Sequence, residues 1–172
     1  MTSKYFLPFL VILLSLFTSC KKDEFETDYN KSYAAWTAFK SSTKNNYSYS
    51  VITNSWTGQQ TETVLTIKNG KVMQRAYTLK LMDSGTGAIS IKQQWSEDLS
   101  QLNTHQEGAS ILTLDEVYAK AKKEWLKTSK DVDTFFESTN NGMLSSAGYV
   151  EKGCTDDCFV GIKIGFIKKN DS

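Results

Sequence analysis

The sequence predicts an α+β domain in which two helices pack on one face of an antiparallel sheet, in the order helix, strands, helix, strands. Three observations carry this. Two segments repeat apolar residues at helical steps, and each is followed by runs that alternate apolar with polar side chains. Short turn signals join those runs, Asn69-Gly70 and Asn140-Asn141-Gly142 among them. The only proline is Pro8, so nothing in the domain, residues 28–169, interrupts a ladder or a helix. Strands grouped behind each helix favour an antiparallel sheet over a parallel one.

The first helix is expected over 28–43. Tyr29, Tyr33, Trp36 and Phe39 recur at three- and four-residue steps as an aromatic core stripe, and Asp28 can cap its start. Strand signals follow. Tyr47-Ser-Tyr49-Ser-Val51 alternates, and residues 62–68 end at Asn69-Gly70 before Lys71-Val72-Met73 resumes the pattern. Asn-Gly between two such runs is a strong hairpin signal, because both turn residues take positive φ. It sets Ile67 opposite Val72. Asp83-Ser-Gly-Thr-Gly87 reads as a further turn, leading into a strand over 88–95.

Residues 96–112 are polar, weakly patterned and contain the one histidine, His105. Such a stretch is expected as a surface loop, and the pattern does not assign it a role. Thr113-Leu-Asp-Glu116 is a capping box, opening a second helix that should end near Ser129. Leu114, Val117, Tyr118, Ala121, Trp125 and Leu126 form its apolar face. Strands over 134–138, 143–150 and 160–166 close the chain, the last alternating Val160, Ile162, Ile164 and Phe166 with small or charged residues.

The amino terminus has a different composition. Residues 6–17 read FLPFLVILLSLF behind Lys4, and Thr-Ser-Cys20 follows. A membrane-spanning helix needs about 20 apolar residues, so this run is too short to span and fits the apolar region of a secretory signal. Ending on Cys20, it resembles a bacterial lipoprotein signal. That implies removal of 1–19 and acylation of Cys20, with residues 20–27 as lipidated cysteine and tether. Acyl chains bind a bilayer by about 0.8 kcal/mol per buried CH₂, and more than one chain holds firmly. Lys22-Asp23-Glu24 resembles the signal that sends lipoproteins of the Bacteroidota to the outer face of the outer membrane. The expected localisation is therefore the outer membrane, lipid-anchored and facing the exterior, with the tether reaching about 25 Å at most when extended.

Of 172 residues, 153 remain after a leader of 19, the size of one domain. A chain of that length buries about 70% of its unfolded surface and needs no metal to fold. The full chain carries 20 basic and 19 acidic residues, so no basic excess argues for nucleic acid. With Cys20 assigned to lipid, Cys154 and Cys158 remain, within GCTDDCF. In an oxidising envelope such a pair forms a disulfide. Zinc would need four ligands, against one histidine and no further thiol. A redox pair would more usually be spaced C-x-x-C.

The ordered motifs are Trp36 and Phe39 before Tyr47-Ser-Tyr49, then Leu65-Thr-Ile67-x-Asn69-Gly70-x-Val72. They continue with Leu112-Thr-Leu-Asp115-Glu116-Val117 and end with Asn141-Gly142 before the last strands. In this order they resemble a family of small bacterial secreted and lipoprotein domains of unknown function. The resemblance spans most of 28–166 and implies a fold and an extracytoplasmic setting, without an activity. The chain departs from the family at Leu144, where members tend to carry proline, and it lacks their cysteines near the first strand.

Catalysis by a serine triad would have to use His105, beside Glu107, and no Gly-x-Ser-x-Gly elbow accompanies it. Asp115 and Glu116 suit the first turn of a helix. Asp156 and Asp157, between the cysteines, are the other adjacent carboxylates; no calcium ligand ladder or phosphate cradle surrounds them. Trp56 and Trp95 fall in polar surroundings, where exposed aromatics anchor partners or sugars, although packing across the sheet edge is the larger expectation for both. The expected function is a noncatalytic, membrane-anchored binding or assembly module with an envelope protein or glycan partner and no cofactor. The competing readings are an envelope hydrolase using the Asp156 or Asp157 carboxylate and a structural component of an envelope complex.

Overall fold

The computed structural model describes residues 21–170, with side chains from Phe25 onward. Cys20 and the leader lie outside the described residues. The elements are α1 (Lys21–Ser42), β1 (Tyr47–Asn54), β2 (Gln59–Lys68), β3 (Lys71–Met82), β4 (Ile89–Asp98), α2 (Leu114–Lys120), β5 (Val132–Glu137), β6 (Ser146–Glu151) and β7 (Val160–Lys169). A π-helical turn (Ala121–Trp125) continues α2. The α+β class and the antiparallel sheet are as the sequence predicts. All seven strands join one sheet in the order β4-β3-β2-β1-β7-β6-β5, each pair antiparallel.

α1 begins earlier than expected. Residues 21–27, expected as an extended tether, are its first two turns. At 1.5 Å per residue they span about 10 Å. The buried stripe of α1 runs through Tyr29, Ser32 and Trp36, while Tyr33 is 43% exposed. The helix ends where Lys44 and Asn45 take φ of 53° and 59°. The carbonyl of Asn45 then accepts the Gly70 N–H at 3.1 Å, and the Asn46 side-chain oxygen accepts the Asn69 N–H at 3.1 Å. The end of α1 is thereby hooked onto the β2–β3 hairpin. Gly70 has φ +76°, a backbone conformation that favours glycine, and a Cβ there would also push the Asn45 side-chain amide aside, Nδ2 standing 2.5 Å from it.

That hairpin has the expected register, with Ile67 opposite Val72, and a bulge between Thr66 and Ile67. The Asp83 turn is built as the sequence suggests. Its carboxylate accepts the N–H of Gly85 and Thr86 and the Thr86 hydroxyl, and these bonds hold the Asp83 carboxyl below the usual range.

The core gathers Trp36 of α1, Val117 and Tyr118 of α2, Tyr47 and Tyr49 of β1, and Leu65 and Ile67 of β2. Its phenols are anchors rather than apolar filler. Tyr47 Oη accepts the Leu114 N–H at 2.9 Å and Tyr49 Oη donates to the Leu112 carbonyl at 2.6 Å, so β1 grips both sides of the α2 cap. Trp36 Nε1 and Lys40 Nζ donate to the two oxygens of Asp115, at 3.0 and 2.6 Å. The capping box at Thr113 and Glu116 is present as predicted. The regular helix stops at Lys120 rather than near Ser129. Leu126 N–H reaches back five residues to the Ala121 carbonyl, and the widened turn lets Trp125 bury beside Ala121.

Candidate functional site

A cleft of about 400 Å³ opens over the middle of the sheet. Val51 and Thr53 of β1, Thr61 and Thr63 of β2, Tyr77 of β3 and Ile162 of β7 form its floor. Gly108, Ala109, Ser110 and Leu112 make one wall, and Lys120 and Trp125 make the other. The Lys120 ammonium lies 5.5 Å from the centre of the Trp125 ring and 3.7 Å from Glu124. Thr53 and Thr61 are cross-strand partners with hydroxyls 2.6 Å apart, at the end of the cleft next to the β1–β2 turn.

The first wall exists because the 96–112 stretch folds back onto β3 and β4. Arg75 and Glu97 face each other across those strands, with side chains 3% and 0% exposed. Arg75 Nε and Nη2 donate to the two Glu97 oxygens at 2.9 and 3.0 Å. The same carboxylate accepts the backbone N–H of Asn103 and His105, the Thr104 hydroxyl and the His105 ring at Nδ1. Arg75 also donates to the carbonyls of His105 and Ala109, and Ala109 N–H donates to the Thr63 hydroxyl. These bonds, led by the Arg75 guanidinium, hold the Glu97 carboxyl far below the usual carboxylate range.

The sequence-predicted residues divide. His105 lies in a loop with its side chain 41% exposed, close to the expectation, and its ring is in addition paired with Glu97 eight residues earlier. Its ring stacks on Trp95 with centroids 4.2 Å apart and planes 8° from parallel. Trp95 also stacks on Tyr77 at 5.1 Å and lies 4.9 Å from the Arg75 guanidinium, so it sits between the sheet and the folded loop. Trp56 is 78% exposed in the β1–β2 turn. Asp156 and Asp157 are exposed in the loop closed by the Cys154–Cys158 disulfide, whose Cα atoms are 6.3 Å apart. Asp157 accepts a hydrogen bond from Ser55 at 2.9 Å, which brings the disulfide loop beside Trp56.

Arg75 and Glu97 were not singled out by sequence. The available signal was an arginine at an apolar-alternation position inside a strand and a glutamate near the end of the next. Among the described residues, no group of three or more His, Cys, Asp or Glu is placed to hold a metal ion, and no helix is long and apolar enough to cross a membrane. No protein-family model matches the chain, and neither a curated protein nor a solved structure does.

Proposed function

We propose that this chain is a lipid-anchored module of the outer membrane that binds an envelope glycan without turning it over. Acylated Cys20 is the anchor in this reading, and the exterior is the side it faces. The observation that carries the binding site is the cleft over β1 and β2. It combines an apolar floor, Val51 and Ile162, with hydroxyls at Thr53, Thr61 and Ser110 and a cation at Lys120. Small, mostly apolar concavities with a few fixed polar groups suit ligands. Past its Thr53–Thr61 end stands the exposed indole of Trp56, a flat apolar face of the kind sugar rings stack on. We infer that both helices cover the sheet face that bears Tyr47 and Tyr49, leaving the cleft as the uncovered part of that face. The resemblance to small secreted and lipoprotein domains supports the setting in the same way.

A noncatalytic role draws support from His105, which is committed to Glu97 and Trp95. The test is calorimetric titration of the mature protein with oligosaccharides released from the envelope of the same cells. Saturable binding that weakens about tenfold or more in Trp56→Ala or Thr61→Ala is the expected result, as for an anchoring residue. Failure of every glycan fraction to bind, or cleavage of one, overturns the reading.

A further inference from the structure

A second concavity, about 820 Å³, lies at the start of α1. Phe25 lines it, with Lys127 and Lys130 from the segment after the π-helical turn, Phe135 of β5, and Lys152 after β6. Asp133 is the acidic residue on this lining, 3.9 Å from Lys152. An adjoining groove shares Phe25 and adds Lys122 and Glu26. On the lining of these two grooves Lys122, Lys127, Lys130 and Lys152 stand against Glu26 and Asp133. The apolar part is accessible too, since Phe135 is 45% exposed. Lys127 is held in place, with Nζ 2.8 Å from the Tyr149 hydroxyl and 4.0 Å from its ring centre.

We propose that this groove is the face the domain turns toward its own membrane, with Lys127, Lys130 and Lys152 against anionic lipid headgroups. The proposal rests on acylation of Cys20. Cys20 directly precedes Lys21, the first residue of α1, and Phe25 stands four residues further on. That is about 6 Å of helix axis from Lys21, so an anchor at Cys20 brings the Phe25 end of the groove close to the headgroups, where a Debye length of about 8 Å at physiological salt lets charges act. A rigid helix rather than a loose tether then fixes which side of the domain faces down. The sheet order sets β5 at one edge and β4 at the other. With β5 beside the bilayer, β4 and its Lys92 point away from it.

The test uses the mature protein as isolated from its own cells, with its N-terminal peptide analysed for acyl groups, in vesicles of phosphatidylcholine with or without a minority of phosphatidylglycerol. Lysine acylation rates are read residue by residue by peptide mass spectrometry. A lysine near an anionic surface gains enough attraction to slow its labelling about fivefold. That slowing is expected at Lys130 and Lys152 in the anionic vesicles, absent at Lys92, and abolished by molar salt. An acylated N-terminal peptide with equal rates in both vesicles overturns the orientation alone. Salt-insensitive slowing in both vesicle types does the same, because it means another protein surface covers the groove. An N-terminal peptide without acyl groups overturns the anchor, and the proposed orientation falls with it.

Discussion

Arg75 of β3 and Glu97 of β4 form a two-point ion pair, at 2.9 and 3.0 Å, with both side chains almost wholly excluded from solvent. Burying two charges is favourable only when good geometry and further hydrogen bonds offset lost hydration. Glu97 meets that condition by accepting from Asn103, Thr104 and His105 as well, so the pair is also the fastening of the cleft wall. Removing one partner strands the other charge. Glu97→Ala should therefore cost about 3–5 kcal/mol, read as a shift in urea midpoint. Arg75→Leu/Glu97→Leu should cost less than the two single changes summed, since no charge is left unpaired. Hydrogen exchange adds a spatial check. Amides of residues 103–109 should lose protection in Glu97→Ala while those of β1 and β7 keep theirs; uniform loss would sink the fastening role.

Acid should release the same contact. The Glu97 carboxyl titrates lower in the folded chain than in the unfolded one, mainly because of Arg75. Its contribution is therefore present above the unfolded value, about 4.3, and is lost as pH falls below it toward the folded value. Stability measured by urea unfolding from pH 7 down to pH 2 should fall across the acid end of that range. In Glu97→Gln the total stability should be lower at pH 7 and the acid slope shallower. A slope unchanged by the substitution would assign acid sensitivity to other carboxylates, such as Asp83 and Asp98, which hydrogen bonds also hold low.

The legible parts of this fold were those decided locally. Asn69-Gly70 has one good conformation between two alternating runs, and the capping box at Thr113 and Glu116 needs only its own four residues. What escaped depended on distant partners. The loop over 99–112 shows no pattern because its order comes from the Glu97 carboxylate at the end of β4 and the Arg75 guanidinium on β3, both outside the loop they organise. Trp95 stacks on Tyr77 of the neighbouring strand, in line with packing across the sheet edge, but its polar neighbours in sequence say nothing of His105 folding over its ring. The early start of α1 was hidden by composition, because KKDEFET suits a solvated helix as well as a tether. Of the candidate site, Trp56, Asp156 and Asp157 could be named in advance, but their nearness could not. It follows from β1 pairing with β7 across more than a hundred residues.

Tyr118 offers a test of how α1, α2 and the approach to β6 are joined. Its phenol donates to the Ser32 carbonyl, lies 2.8 Å from the Ser32 hydroxyl, and accepts the Leu144 N–H at 2.8 Å. Tyr118→Phe keeps the ring, so its packing against Tyr29 and Trp36 is retained. It leaves a buried N–H and a buried hydroxyl without their partner, which costs about 1–3 kcal/mol. Thermal unfolding should report a lower Tm with an unchanged near-ultraviolet spectrum from the tryptophans. An unaltered Tm would mean water replaces the phenol and the three segments are joined by packing alone.

The Cys154–Cys158 disulfide closes a loop of only five residues, with sequence separation 4. In the chain-entropy account so short a loop stabilises by about 2 kcal/mol, less than a long one, because the unfolded chain already keeps these residues near each other. Cys154→Ser/Cys158→Ser should therefore lower stability by about that amount and leave the fold intact, the core lying among Trp36, Tyr47 and Tyr118 rather than at this turn. Its larger effect should be local. Asp157 is held to Ser55 from within the loop, and Trp56 follows Ser55 directly. Opening the loop frees the turn that carries the indole, so under the glycan-binding proposal affinity should drop in the double variant even under conditions where it is fully folded. Affinity equal to that of the parent protein would remove Trp56 and the disulfide loop from the binding site, and leave the cleft between Thr61 and Lys120 to act without them.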